Sequence, residues 1–128
     1  SPVFAGESYI CLTDLAVGFA YNKDRKEWER GSFKATAKYI VSKSVQKEYR
    51  WEVKNVGEKL PVAACKTDFN EVGTLVCEGF IDFRMNKNNL RFLITYTLGY
   101  WTYSPGNALF GTEGENTPYM EIGKCSPM

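Results

Sequence analysis

Apolar and polar residues alternate with a period of two over most of the chain, and runs with helical spacing are scarce. The alternation is clearest from Thr74 to Trp101. Leu75, Cys77, Gly79, Ile81, Phe83 and Met85 fall on one face, and Glu78, Asp82 and Arg84 on the other. Asn86-Lys87-Asn88-Asn89 then supplies four turn-forming residues. Beyond it Leu90, Phe92, Ile94, Tyr96, Leu98 and Tyr100 alternate with Arg91, Thr95 and Thr97. Two alternating arms around a polar turn predict one long antiparallel hairpin.

A second hairpin is predicted near the start, with an apolar arm from Leu15 to Tyr21, a polar turn over Asn22 to Lys26, and a return from Trp28 to Phe33. Trp28 and Phe33 are read there as packing residues. Further strands are expected at 8–12, 38–42, 49–56, 60–64 and 119–125, with room for a short helix near Ser44–Lys47 or after Cys65. Seven to eight strands with regularly spaced turns indicate an all-β fold, a small antiparallel barrel or sandwich. The 128 residues fit a single domain, 1–128, with residues 1–7 expected to form a disordered tail. A chain of this length buries roughly two-thirds of its extended surface, so crosslinks supplement a core rather than replace one.

The longest irregular stretch is 102–117, beyond the usual length of a hairpin connection and of the kind that is functional or disordered. It sets Tyr103, Leu109 and Phe110 among glycines. With Tyr96, Tyr100 and Trp101 just before it, aromatic residues gather where the long hairpin enters the loop. Tyr and Trp offer large contact area with a polar handle, which suits an interface or a ligand mouth. Tyr100, Trp101, Tyr103 and Phe110 are therefore the candidate binding residues, weighed against core or rim packing.

Four cysteines, Cys11, Cys65, Cys77 and Cys125, stand in a chain with no histidine. Histidine is the commonest general base and metal ligand, so its absence excludes Ser-His-Asp and Cys-His catalysis. Zinc needs close cysteine pairs or supporting histidines, and neither is present, so no metal site is expected. Even-numbered cysteines in a small domain point instead to disulfides. Three connectivities are open. Cys65–Cys77 with Cys11–Cys125 is favoured, because the first closes a turn-rich segment carrying Asp68, Asn70 and Gly73, and the second pins the last strand to the first.

A net charge of +1 argues against a general nucleic-acid binder, and no apolar run reaches the length of a membrane-spanning helix. Basic residues from Lys38 to Lys54, with Tyr39, Tyr49 and Trp51 among them, read as the polar face of a strand pair rather than an oligonucleotide strip. Val3-Phe4-Ala5 has the small-residue spacing that precedes signal-peptidase cleavage, and an ordinary disordered start fits it equally. No Asn-x-Ser/Thr acceptor is present. A periplasmic or secreted location follows from these features together.

Other chemical motifs fail on spacing. Glu78 and Asp82, on one continuous strand, would stand about 13 Å apart, too far for a glycosidase pair. Glu113, Glu115 and Glu121 could cluster near the long loop but read as surface acids. Asp68, Asn70 and Gly73 lack the rest of a calcium loop. Gly106, Gly111 and Gly114 lack the Lys-Ser/Thr of a phosphate cradle. No cofactor is implied.

Val17-Gly18-Phe19, Arg91-Phe92, Gly99-Tyr100-Trp101 and Thr117-Pro118-Tyr119-Met120-Glu121-Ile122-Gly123-Lys124-Cys125 resemble a small family of uncharacterised exported bacterial proteins. The resemblance spans most of the chain, implies export and transfers no functional residue. Small periplasmic β-barrels that inhibit lysozyme are similar in size and disulfide use, but their inhibitory motif has no counterpart here, so that likeness is architectural. The expectation is an exported, non-catalytic binding domain that recognises a protein or small ligand through the aromatic 100–116 loop, with a hydrolase inhibitor as one form. The alternatives are a carboxylate- or tyrosine-based enzyme acting on a glycan, and a structural part of an envelope assembly.

Overall fold

The computed structural model describes residues 8–128, so the expected tail over 1–7 and the cleavage-like spacing within it lie outside the described residues. Nine strands follow one another: β1 (Ser8–Asn22), β2 (Glu27–Phe33), β3 (Lys38–Lys43), β4 (Trp51–Asn55), β5 (Ala63–Cys65), β6 (Thr74–Gly79), β7 (Asp82–Asn86), β8 (Arg91–Tyr96) and β9 (Tyr119–Pro127). All pairings are antiparallel. The sheet runs β2-β1-β3-β4-β5-β6-β7-β8-β9, and β9 returns to pair with β1. Eight strands thus close a barrel, with β2 attached outside the ring. The fold is all-β with no helix among the described residues, so the helix allowed at 44–47 or after Cys65 does not form and no helix is long and apolar enough to cross a membrane.

The first two expected strands are one. At about 3.3 Å per residue the fifteen residues of β1 span about 50 Å, longer than the barrel wall. The first third pairs with β3, Ala16 to Asn22 takes β2 as partner, and beyond Gly18, where the pairing with β9 ends, the strand projects from the barrel. A bulge between Thr13 and Leu15 changes the parity along the strand. Before it Tyr9, Cys11 and Thr13 point inward, and after it Ala16 does. Leu15, Val17 and Phe19 are turned outward as a result and stay exposed.

The predicted long hairpin requires a correction. Its first arm is two strands, because the chain reverses over Gly79-Phe80-Ile81 and β6 pairs back on β7, Leu75 opposite Met85 and Cys77 opposite Phe83. A hairpin centred on a single residue, here Phe80, preserves odd–even parity, so the alternation runs through the turn unbroken. Gly79 is needed at this corner, since a Cβ there would meet the Val62 carbonyl oxygen at 2.6 Å. Glu78 and Asp82 consequently lie on the two strands that flank the turn, not four positions apart on one strand, and both are exposed.

Side chains fill the barrel. Phe83 stacks on Phe92, and Tyr39 meets Phe92 edge-on. Gly123 faces inward below that cluster, where a Cβ would meet the Phe92 ring at 2.6 Å. One end is plugged by Tyr9, Trp51 and Phe69, and the Trp51 indole N–H donates to Asp68 Oδ1 at 2.8 Å. That hydrogen bond is the main reason the Asp68 carboxyl is held below the ordinary carboxylate range, with a backbone N–H and the Arg50 charge adding to it.

Both favoured disulfides are present. Cys11–Cys125 joins directly opposed residues of β1 and β9, and Cys65–Cys77 joins β5 to β6. No free cysteine remains among the described residues. Two disulfides point to an oxidising, extracytoplasmic environment.

Candidate functional site

β8 stops at Tyr96, short of the expected Trp101, because neither neighbour extends further along it. β7 begins opposite Thr95 and β9 begins opposite Tyr96. The chain then leaves the barrel from Thr97 to Pro118. Gly99 takes a φ of 113°, and a Cβ on it would collide with the Asn116 carbonyl oxygen, so glycine lets the two ends of the loop close on each other. The Gly99 N–H donates to Thr102 Oγ1 at 2.9 Å, and Asn107 Oδ1 accepts from the N–H groups of Leu109 and Phe110.

The loop is tied down on the outward face of the projecting β1–β2 ribbon. The Trp28 indole N–H donates to Glu113 Oε1 at 2.7 Å, and Gly114 lies against the Tyr21 ring. Tyr21, Trp28 and Tyr100 form a line of rings with centroids 5.5 and 5.3 Å apart. Between ribbon and loop lies an open cavity of about 690 Å³, walled by Phe19, Trp28 and Arg30 on one side and by Thr97, Tyr100, Trp101 and Pro118 on the other. It runs into a second hollow of about 750 Å³ that shares Phe19, Arg30, Thr97 and Pro118 and adds Val17, Ser32, Thr95 and Met120. The result is one groove across the ends of β8, β9, β1 and β2. Its size and apolar lining suit a small ligand or a short peptide segment.

Arg30 is the charge the groove presents. Glu29, also on its rim, is held by Arg25 at 2.8 Å, whereas Arg30 joins no ion pair among the described residues. Tyr100 and Trp101, both expected as binding residues, line the groove and are 60% and 72% exposed. The Trp101 indole N–H donates to the Thr97 carbonyl, which fixes the ring orientation. Tyr103 and Phe110 lie in the same loop but outside the lining. Phe19, Trp28, Arg30 and Pro118 were missed from the sequence. Trp28 carries a sequence signal, as a large aromatic beside a turn, but that signal points equally to packing.

The acids separate instead of clustering. Glu113 goes to Trp28, Glu115 stays exposed, and Glu121 enters the barrel at 8% exposure, correcting its reading as a surface acid. Its Oε1 accepts from Thr13 Oγ1 at 2.9 Å and from the Tyr39 hydroxyl at 2.7 Å. Burial, that hydrogen bond and the Glu121 charge push the Tyr39 phenol far above its ordinary range. Burial, with the same charge, also raises Tyr119. On the opposite wall Glu52 and Glu78 share a hollow of about 410 Å³ with Tyr49. They stand two strands apart, about 9.6 Å between backbones, and Glu52 is paired with Lys54 at 2.9 Å.

No protein-family model, curated protein or solved structure matches the chain, which is consistent with the uncharacterised family its sequence resembles.

Proposed function

We propose that this is an exported, non-catalytic binding domain, periplasmic or secreted, that holds a small apolar ligand or a short partner segment in the groove between the 97–118 loop and the β1–β2 ribbon. The observation that carries the reading is the groove itself. Exposed Phe19, Tyr100 and Trp101 surround Arg30, which has no ion-pair partner among the described residues, on a scaffold closed by two disulfides. Exposed aromatics held by a rigid frame bind at low entropic cost. Inhibition of a hydrolase is one use of such a groove, with the aromatic loop as the inserting element.

Affinity capture on immobilised protein from a periplasmic or culture extract tests the proposal. Phe19→Ser and Trp101→Ala should reduce capture at least tenfold without lowering the melting temperature. Capture that both variants retain at full strength refutes the assignment.

A second reading, as an envelope assembly element, has a specific observation behind it. β2 is paired on one side only among the described residues, and an apolar stripe runs along the outside of β1 and β9. Concentration-dependent mass by light scattering would favour it. The carboxylate enzyme has less support, since Glu52 is bound to Lys54, and Glu78 and Asp82, brought to the same turn, are both exposed and line no common hollow.

A further inference from the structure

A third hollow, of about 540 Å³, lies on the outer wall formed by β7, β8, β9 and β1, away from the aromatic groove. Its polar lining is three cations, Arg84, Arg91 and Lys124, with Thr74, Asn86 and Asn89 and one carboxylate, Asp14, so cationic groups outnumber the acid. Arg91 on β8 stands directly opposite Lys124 on β9, and Asn86 on β7 stands directly opposite Arg91. Arg84 is one outward position further along β7. Like charges facing each other across a strand pair repel, and an anion between them removes the repulsion. Neither Arg84 nor Arg91 joins an ion pair among the described residues. Lys124 reaches only Asp14, at 3.8 Å, with both side chains more than half exposed, a contact of little strength.

The asparagines point the same way. Asn86 Oδ1 accepts the Asn88 N–H and Asn89 Oδ1 accepts the Arg91 N–H, and neither NH₂ group donates to another group among the described residues. Three cations and two amides around one hollow call for a ligand with several acceptor oxygens and negative charge, which is the chemistry of phosphate.

Beside the cations lies an apolar floor. Arg84, Leu93, Ile122 and Leu15 form one row across four strands, so aliphatic side chains begin where the charges end. Leu15 is 62% exposed, and the stripe continues through Val17 and Met120. An inorganic anion makes no use of that floor. A phosphate joined to acyl chains does.

We propose that this wall docks on an anionic phospholipid surface, with the lipid phosphate in the hollow among Arg84, Arg91 and Lys124 and the acyl region against Leu15, Leu93 and Ile122. The hollow shares no lining residue with the aromatic groove, which the apolar stripe reaches only at Val17 and Met120. With a net charge of +1 the chain has little general attraction for anionic surfaces, so binding depends on this local set.

The test is co-sedimentation of the full chain with vesicles of phosphatidylcholine, alone or mixed with phosphatidylglycerol. Only the mixed vesicles should retain the protein, and raised salt should release it. Arg84→Gln and Arg91→Gln should each weaken retention about fivefold, while Lys47→Gln on the 44–50 loop leaves it unchanged. Leu15→Ser and Ile122→Ser should weaken it as well. Unchanged melting temperatures of these exposed variants confirm that folding is intact. Absence of retention, or equal retention of the arginine variants, overturns the proposal. Inorganic phosphate is the competing probe at matched ionic strength. If it displaces the protein from vesicles and the Leu15 and Ile122 variants bind normally, the hollow takes a free anion and the lipid assignment is overturned.

Discussion

Tyr39→Phe removes one oxygen atom from the barrel interior, and its effect on stability should largely vanish in alkali. At neutral pH the hydroxyl donates at 2.7 Å to Glu121 Oε1, a charged acceptor. Hydrogen bonds of that kind contribute about 1.5–3 kcal/mol, and the lower end applies because Thr13 continues to donate to the same oxygen. The variant should therefore be about 1.5–2 kcal/mol less stable at pH 8. Burial and the neighbouring carboxylate raise the Tyr39 phenol above its unfolded value of 10.0, so the folded state holds this proton more tightly than the unfolded chain. Its contribution is whole below pH 10 and is lost as the pH rises, because the unfolded tyrosine ionises and the folded one does not. From pH 8 to pH 11 the wild type should lose about 1.4 kcal/mol through Tyr39 alone. The phenylalanine variant has no proton to lose at this position. Tyr9 and Tyr119, also raised by burial, titrate in both proteins and cancel in the difference. Urea denaturation of both proteins at the two pH values, with disulfides intact, gives the four stabilities. The gap should shrink to within about 0.5 kcal/mol at pH 11. Equal alkaline losses in the two proteins would refute the reasoning.

Replacing Cys11 and Cys125 by serine should cost up to about 5 kcal/mol, and replacing Cys65 and Cys77 up to about 3 kcal/mol, because the longer loop loses more unfolded-state entropy when closed. Non-reducing peptide mapping checks the pairing and chemical denaturation the order. Gly123→Ala places a methyl group against the Phe92 ring and the Leu12 carbonyl, and should destabilise by about 1–3 kcal/mol in the same denaturation assay. The lowered Asp68 carboxyl contributes stability above its unfolded value of 3.8 that is lost as the pH falls through its folded value. Asp68→Asn should therefore flatten the acid limb of a Trp51 fluorescence titration. Trp101→Ala and Phe19→Ser should leave stability within about 0.5 kcal/mol of wild type by thermal melting, since both side chains are largely exposed.

Local information in the chain determined much of this architecture. Period-two alternation identified the strands, Asn86–Asn89 marked a true hairpin turn, and cysteines at the two ends of the pattern anticipated the closure of β1 on β9. It also located the loop that supplies Tyr100 and Trp101. Alternation reports parity, however, and two features of the fold are invisible to parity. The reversal at Phe80 leaves it unchanged, so one arm was read where β6 and β7 pair. The bulge at Asp14 exchanges the inward and outward faces partway along β1 without interrupting the alternation, turning Leu15, Val17 and Phe19 out of the barrel.

Only the tertiary structure decided what those residues meet. The groove joins residues about 70 to 100 positions apart, because β1 outruns the barrel wall and carries Phe19, with Trp28 and Arg30 on the paired β2, to the far loop. Arg84, Arg91 and Lys124 converge through strand register, and Glu121 becomes an interior acceptor because β9 lies beside β1. Pairing register is set by closure of the whole sheet, and no local stretch of sequence contains it.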